Sequence, residues 1–163
     1  MSPRSLSRWY LDRDAWRLIG LHYLPRLAGL SLAWEIAHLP LYTLWGEGTP
    51  AFIAFSVVHC TLGDVLIGAA ALLIALIATR AQQLARWRWR RIALVAALAG
   101  TAYTGFSEWM NTVARNEWAY SDWMPVLRVF GVELGLSPIA QWLILPPIAI
   151  WLALTRAAAS GDR

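Results

Sequence analysis

The chain has no lysine, a single cysteine, and charged side chains at only 15% of its 163 positions. One cysteine excludes an internal disulfide and any metal site built from clustered thiolates. The low charge accompanies 58% hydrophobic residues, a combination that excludes an ordinary soluble domain. All fourteen basic residues are arginines that flank apolar runs, so the net charge of +4 indicates membrane topology and argues against a nucleic-acid partner.

Four apolar runs are present, each about long enough for a helix to cross the hydrocarbon core of a bilayer. We therefore predict an all-α integral membrane protein, a four-helix bundle that occupies residues 27–155. Residues 1–26 mix arginine with tryptophan and tyrosine, which favours a cytoplasmic segment lying at the membrane interface. Residues 156–163 form the predicted cytoplasmic tail. The predicted spans are 27–45, 51–78, 92–111 and 136–154.

The distribution of arginines predicts the orientation of these spans. Twelve arginines precede the first span, lie between the second and third, or follow the fourth, whereas only Arg115 and Arg128 lie on the opposite side. By the positive-inside rule, both termini of this multi-pass protein are cytoplasmic. Abundant tryptophan and alanine, with arginine in place of lysine, are typical of a GC-rich bacterial genome. The predicted location is therefore a bacterial inner membrane.

A carboxylate and an imidazole interrupt the first span, in the stretch 34–40 with the sequence WEIAHLP. An acidic residue at the centre of a bilayer costs roughly 2.5–3.5 kcal/mol even on mild scales, so it indicates a function. Glu35 and His38 are three residues apart and therefore share one face of a helix. Pro40 cannot donate to the carbonyl of Ile36, which leaves a further acceptor near the same site. The stretch predicts a polar site inside the membrane.

Polar residues in the other spans lie at a similar depth. At about 1.5 Å per residue, all four spans place polar side chains in the outer half of the bilayer. His59 and Asp64 are about 140° apart on a straight helix, so both face one site only if the helix distorts near Gly63. We predict acid–base roles for Glu35, His38, His59, Asp64 and Glu108, and substrate binding by Trp34, Tyr103, Asn111, Gln141 and Trp142.

Three functions are compatible with such a site. The preferred hypothesis is an intramembrane protein that binds, or acts by acid–base chemistry on, a lipid, sterol or isoprenoid. The second is a metal site, because Glu35-x-x-His38 is half of a di-metal pattern whose second half is broken here to Glu108-x-x-Asn111. The third is a binding, transport or assembly subunit, of which the transport version would need a homo-oligomer. Membrane lipids or a hydrophobic small molecule are the predicted partners, and no cofactor is specified. The metal alternative would use Glu35, His38, His59 and Glu108.

The last third of the chain resembles a known family. Tyr103 and Glu108, a polar loop, and then Gln141-Trp142 followed by Pro146 resemble the emopamil-binding (EXPERA) sterol isomerases. Those bundles keep acidic residues at helix ends, with an asparagine and a tryptophan near a proline in a later helix. The resemblance implies acid–base chemistry in a cavity of the bundle. The chain departs from that pattern by its adjacent glutamine and tryptophan, and by the polar residues of its second span.

The connection between the third and fourth spans is long for a helical bundle. Residues 112–135 contain the only outward arginines and several aromatic residues suited to the interface. We expect this connection to fold over the outer mouth of the bundle as a cap. In that arrangement Arg115 would lie near Glu117, Asp122 or Glu108.

Overall fold

A computed structural model describes residues 8–159 of the chain, with side chains up to Arg156, and these residues are mostly helical. The first seven residues of the predicted interfacial segment and the last four of the predicted tail lie outside this range. Two short strands, β1 at Val126–Val129 and β2 at Val132–Gly135, form an antiparallel hairpin. The helices are α1 Arg13–Arg17, α2 Leu24–His38, α3 Leu44–Glu47, α4 Pro50–Ala78, α5 Trp89–Trp109 and α6 Leu136–Ala159.

The four long helices form a ring. Helix α4 packs against α2 and α5, and α6 packs against α5 and α2, so that the ring closes between the first and last long helices. Helix α4 begins at Pro50 because proline fits the first turn, and the hydroxyl of Thr49 accepts a hydrogen bond from the backbone N–H of Phe52 at 3.3 Å. The ring brings all four predicted polar segments around one interior.

Two helices are long and apolar enough to cross a membrane by length and composition, Pro50–Ala78 and Leu136–Arg156. They coincide with the predicted spans 51–78 and 136–154. The spans predicted at 27–45 and 92–111 do not meet the same criterion. Helix α2 is only 15 residues long, and the 21 residues of α5 include two arginines and a glutamate.

Helical structure and core packing begin before residue 27, where the predicted bundle starts. Residues Leu18–Tyr23 form a π-helical segment that runs directly into α2. Within it, Leu18, Ile19 and Tyr23 are buried in the core, and the Tyr23 hydroxyl donates to the carbonyl of Gly68 at 3.3 Å. These three residues of the segment therefore pack against helices of the bundle.

An apolar core fills one end of the ring, which we call the apolar half. Gly68 in this half and Gly100 at its border let the neighbouring helices approach closely. A Cβ at Gly68 would overlap the side chain of Leu27, and a Cβ at Gly100 would overlap the ring of Trp142. Five alanines also belong to this core, and small residues of this kind let helices pack closely. The apolar half consists of Trp9, Leu18, Ile19, Tyr23, Leu27, Leu72, Ala75, Leu76, Ile92, Ala93, Ala96, Leu145, Ala149, Ile150 and Ala153.

The first predicted span is wrong in its last turns, because α2 ends at His38 and does not continue to Trp45. The chain switches to a 3₁₀ turn at Leu39–Leu41, as expected where Pro40 cannot donate a helical hydrogen bond. Two carbonyls within the break accept hydrogen bonds from one residue: that of Pro40 accepts from the hydroxyl of Ser121 at 2.9 Å, and that of Leu41 accepts from the Ser121 backbone N–H at 2.9 Å. The break is therefore a docking point for the long connection.

The connection between α5 and α6 lies over the same end of the ring as the break in α2. Its residues 115–125, which we call the cap, reach both the α2 break and the polar interior. The hairpin was not predicted, and its turn uses positive φ angles at Phe130 and Gly131, as in type I′ hairpins. Among the described residues, Arg115 forms no ion pair with the acidic residues expected near it.

Candidate functional site

A cavity of about 960 Å³ opens between the helices at the end opposite the apolar half. We call this end the cavity half. Its walls come from α2, α4, α5 and α6, from the connection 39–49 between α2 and α4, and from three residues of the cap. All five residues predicted to perform acid–base chemistry line this one cavity: Glu35, His38, His59, Asp64 and Glu108.

Glu35 and His38 form a buried pair on the last turn of α2. The imidazole Nε2 lies 3.2 Å from Glu35 Oε2, and both side chains are about nine-tenths buried. The other ring nitrogen, Nδ1, lies 3.1 Å from the hydroxyl of Ser137 on α6. If Nε2 carries the proton, it donates to the carboxylate while Nδ1 accepts from Ser137, so this geometry accommodates a neutral imidazole.

Asp64 lies across the cavity on α4 and is held from α6. The amide of Gln141 donates to Asp64 Oδ2 at 2.5 Å, and both residues are buried. Ser31 on α2 also faces this carboxyl group. Asp64 therefore links three helices, and Gln141 positions an acid in addition to its predicted contact with substrate.

Glu108 is joined to the cap by Tyr120, a residue that the sequence did not indicate as part of the site. The Tyr120 hydroxyl donates to Glu108 Oε2 and accepts from the backbone N–H of Gly135 at 2.9 Å. Burial and the Glu108 carboxylate both raise the pKa of Tyr120 above its ordinary value. Tyr120 is twelve positions after Glu108, beyond the end of α5, the π-helical turn Met110–Ala114 and an irregular stretch, so no helical or strand spacing connects the two in the sequence.

His59 lies at the exposed edge of the cavity rather than among the buried acids. Helix α4 stays regular through Gly63, so the distortion that would have turned His59 and Asp64 to one side is absent. The imidazole instead stacks on Phe55, with ring centroids 5.6 Å apart. His59 therefore borders the site, while Asp64 belongs to its interior.

The residues predicted to bind substrate are divided between the cavity and its surroundings. Trp142 is buried and lines the cavity, and Tyr103 lines it from an exposed position. Asn111 also lines it, but its amide donates to the Ser107 carbonyl of its own helix at 2.8 Å. Trp34 packs against the apolar half and is not among the lining residues.

The metal alternative finds little support in the geometry of the donors. Within residues 8–159, no three His, Cys, Asp or Glu side chains lie close enough together to hold one metal ion. Of the four ligands named for it, only Glu35 and His38 are in contact. His59 is at the edge, and Glu108 is engaged by Tyr120. The histidine and carboxylates are therefore arranged as separate hydrogen-bonded pairs.

Comparison with protein-family models, with curated proteins and with solved structures found no match to the chain. The resemblance to the emopamil-binding proteins therefore remains a prediction from the residues quoted for it. The buried part of this cavity holds three carboxyl groups and one imidazole, each with a hydrogen-bond partner. Such groups can accept or donate a proton without a cofactor.

Proposed function

We propose that the protein is a four-span inner-membrane protein that binds a lipid-like or isoprenoid molecule and performs acid–base chemistry on it. The observation that carries this proposal is the buried Glu35–His38 pair, which shares one cavity with Asp64 and Glu108. The pair is suited to take a proton from a bound molecule. Glu108, when its carboxyl group is protonated, is suited to return one from another wall of the cavity while its Oε2 accepts the hydrogen bond from Tyr120.

The distribution of apolar and polar side chains supports the membrane as the solvent. Large apolar residues on the outward faces of all four long helices are exposed, among them Ile36, Leu62, Leu98 and Ile144. The interior of the same ring contains seven buried polar or acidic residues. A water-soluble protein buries its apolar groups and exposes its charges, whereas a membrane bundle with a functional interior does the reverse.

The contacts at the two ends of the ring support four crossings rather than two. Asp12 accepts a hydrogen bond from the backbone N–H of Leu84 at 2.7 Å, which joins the N-terminal segment to the arginine-rich loop. At the other end, the backbone N–H of Thr43 donates to the carbonyl of Ala119 at 3.0 Å. If only α4 and α6 crossed the membrane, these two pairs of segments would be on opposite sides.

Reporter fusions test this topology. We expect fusions after Gly48 and after Trp118 to report the periplasm, and fusions within residues 80–91 to report the cytoplasm, as the arginine distribution requires. The same reporter inserted at both ends of the ring is its own control. A fusion within residues 80–91 that reports the same side as Trp118 would establish two crossings and contradict the proposal.

Transfer of solvent deuterium tests the chemistry. Purified protein is incubated in D₂O with lipid extracted from the cells that produce it, and deuterium retained on carbon after exchange back into H₂O is measured by mass spectrometry. We expect one lipid class to gain deuterium with the native protein. The Glu35→Gln variant should reduce its rate about 10²–10⁴-fold, the usual contribution of a general acid or base.

Glu133→Gln is the matched control for this experiment. Glu133 is exposed on the hairpin, where it pairs with Arg128, and it does not line the cavity. The same chemical change there should leave the rate of deuterium transfer unaltered. Equal rates in the Glu35→Gln and native proteins, or no deuterium gain in any lipid class, would refute the acid–base proposal.

A further inference from the structure

The cavity has a side opening between α4 and α5. Phe52, Phe55 and His59 lie along one face of α4, at spacings of three and four residues, and Tyr103 lies on α5. All four line the cavity, and all four are exposed. A residue that does both borders an opening. We call this opening the side portal.

The side portal faces the hydrocarbon of the membrane in the proposed topology. The 29 residues of α4 are ~43 Å long at ~1.5 Å per residue, against ~30 Å for the hydrocarbon core. The surplus leaves about four residues at each end in the interface, so Phe55 and His59 lie within the outer leaflet. The opening is therefore bordered by aromatic rings at the depth of lipid chains.

The interior behind the portal is rich in hydrogen-bond acceptors. Glu35, Asp64 and Glu108 are buried in it, and a carboxylate has about four acceptor positions, of which the contacts seen here use one or two. The arginine among the described lining residues, Arg115, is exposed. An anionic head group would bring a further negative charge into this acidic interior without a hydrogen to donate, whereas an O–H or N–H donor would meet free acceptors.

The geometry points to the side portal as the entry for an amphiphile that carries a hydrogen-bond-donor head group, a hydroxyl or an ammonium, and no negative charge. The head reaches the carboxyl groups, and the chain remains between α4 and α5 against Phe52, Phe55 and Tyr103. This inference rests on the proposed function for its membrane setting and names the class of molecule that the cavity selects.

Photolabelling with matched probes tests the inference. The purified protein in lipid nanodiscs is exposed to a long-chain alcohol, the corresponding amine and the corresponding sulfonate, each with a diazirine at the same chain position. We expect labelling of α4 and α5 peptides that contain Phe52, Phe55 or Tyr103. The sulfonate should label them at least about tenfold less, because a repulsion of ~1.4 kcal/mol between its head group and the acidic interior is enough to weaken binding tenfold.

Gly63→Trp and Gly105→Trp provide a matched pair of variants. Gly63 lines the cavity and Gly105 does not, and a Cβ at either position meets open space. We expect Gly63→Trp to fill the portal and reduce labelling at least fivefold, which corresponds to ~1 kcal/mol of binding free energy. Gly105→Trp should leave labelling unchanged, and Gly63→Phe gives a smaller plug if the larger ring prevents folding.

Each outcome bears on the inference. If the amine labels more strongly than the alcohol, the head group is an ammonium. If the alcohol labels as strongly as the amine or more strongly, the head group is a hydroxyl. Sulfonate labelling equal to the others would overturn the choice of head group. Labelling that Gly63→Trp and Gly63→Phe do not reduce, or that Gly105→Trp reduces equally, would overturn the portal. Portal labelling without deuterium transfer would leave the entry site intact and refute only the chemistry.

Discussion

The two halves of the bundle are built from the same four helices but are packed in opposite ways. In the apolar half, the Cβ position of Gly68 is already occupied by the side chain of Leu27. Five residues earlier on the same helix, Gly63 faces a cavity of about 960 Å³ and has no atom near its Cβ position. The helices therefore lie close together in the apolar half, where small residues meet, and lie apart in the cavity half, where acidic and aromatic residues face one another.

The two halves also differ in how they satisfy polar groups. The apolar half is stabilised by dense side-chain contact, with the Tyr23 hydroxyl bound to a backbone carbonyl. The cavity half is held by side-chain pairs between elements, such as Asp64 with Gln141 and Glu108 with Tyr120. Close packing stabilises the first half, and hydrogen bonds across an open space organise the second. A site that must admit a molecule requires the second kind of construction.

The strongest test of the difference in packing between the two halves is a larger side chain at Gly68. Gly68→Val should lower the free energy of unfolding by about 1–3 kcal/mol, because overpacking a filled interior forces neighbouring side chains to shift. Unfolding in mixed micelles, followed by circular dichroism, measures the change. Gly63→Val is the control, since it makes the same local change to the same helix where space is available. Equal destabilisation by the two variants would mean that the halves do not differ in packing.

A smaller effect is expected from cutting the bond between the cap and the cavity. Tyr120→Phe should lower the free energy of unfolding by about 1–3 kcal/mol, because Glu108 and the N–H of Gly135 both lose a hydrogen-bond partner. The loss should lie at the lower end of this range, because Tyr120 is only half-buried. Tyr103→Phe is the matched control, because no hydrogen bond of its hydroxyl is seen among the described residues. Identical stabilities of the two variants would show that Tyr120 does not hold the cap.

The stability that the Glu108–Tyr120 hydrogen bond contributes to the cavity half should depend on pH. The pKa of Tyr120 is raised in the folded protein, so its contribution to stability is complete below the ordinary tyrosine value of about 10 and is lost as pH rises above it. We expect the stability difference between native protein and Tyr120→Phe to shrink between pH 8 and pH 11. The chain has no lysine to titrate in that range. A difference that stays constant would contradict the assigned pKa direction.

The sequence by itself determined the helical character of the chain and the side chains that meet in its interior. Residues 51–78 and 136–154 were predicted as helices because apolar runs of that length have few alternatives, and α4 and α6 cover them. The acids at positions 35, 64 and 108 were predicted in the outer half of the bilayer from the rise per residue, with Glu108 nearer the surface, and they line one cavity. Periodicity within a helix is a local property, so one sequence suffices to read it.

Only the tertiary structure decided what lies between the helices. The pairing of Glu108 with Tyr120, the docking of Ser121 on the α2 break, and the exposure of His59 depend on contacts between distant segments. The hairpin at residues 126–135 depends on two residues with positive φ and on pairing of short strands, for which the sequence has only a weak signal. Depth along a helix follows from residue number, but direction around the helix and the partner across the gap follow from packing. Packing of this chain is fixed by where glycine and alanine let the helices meet.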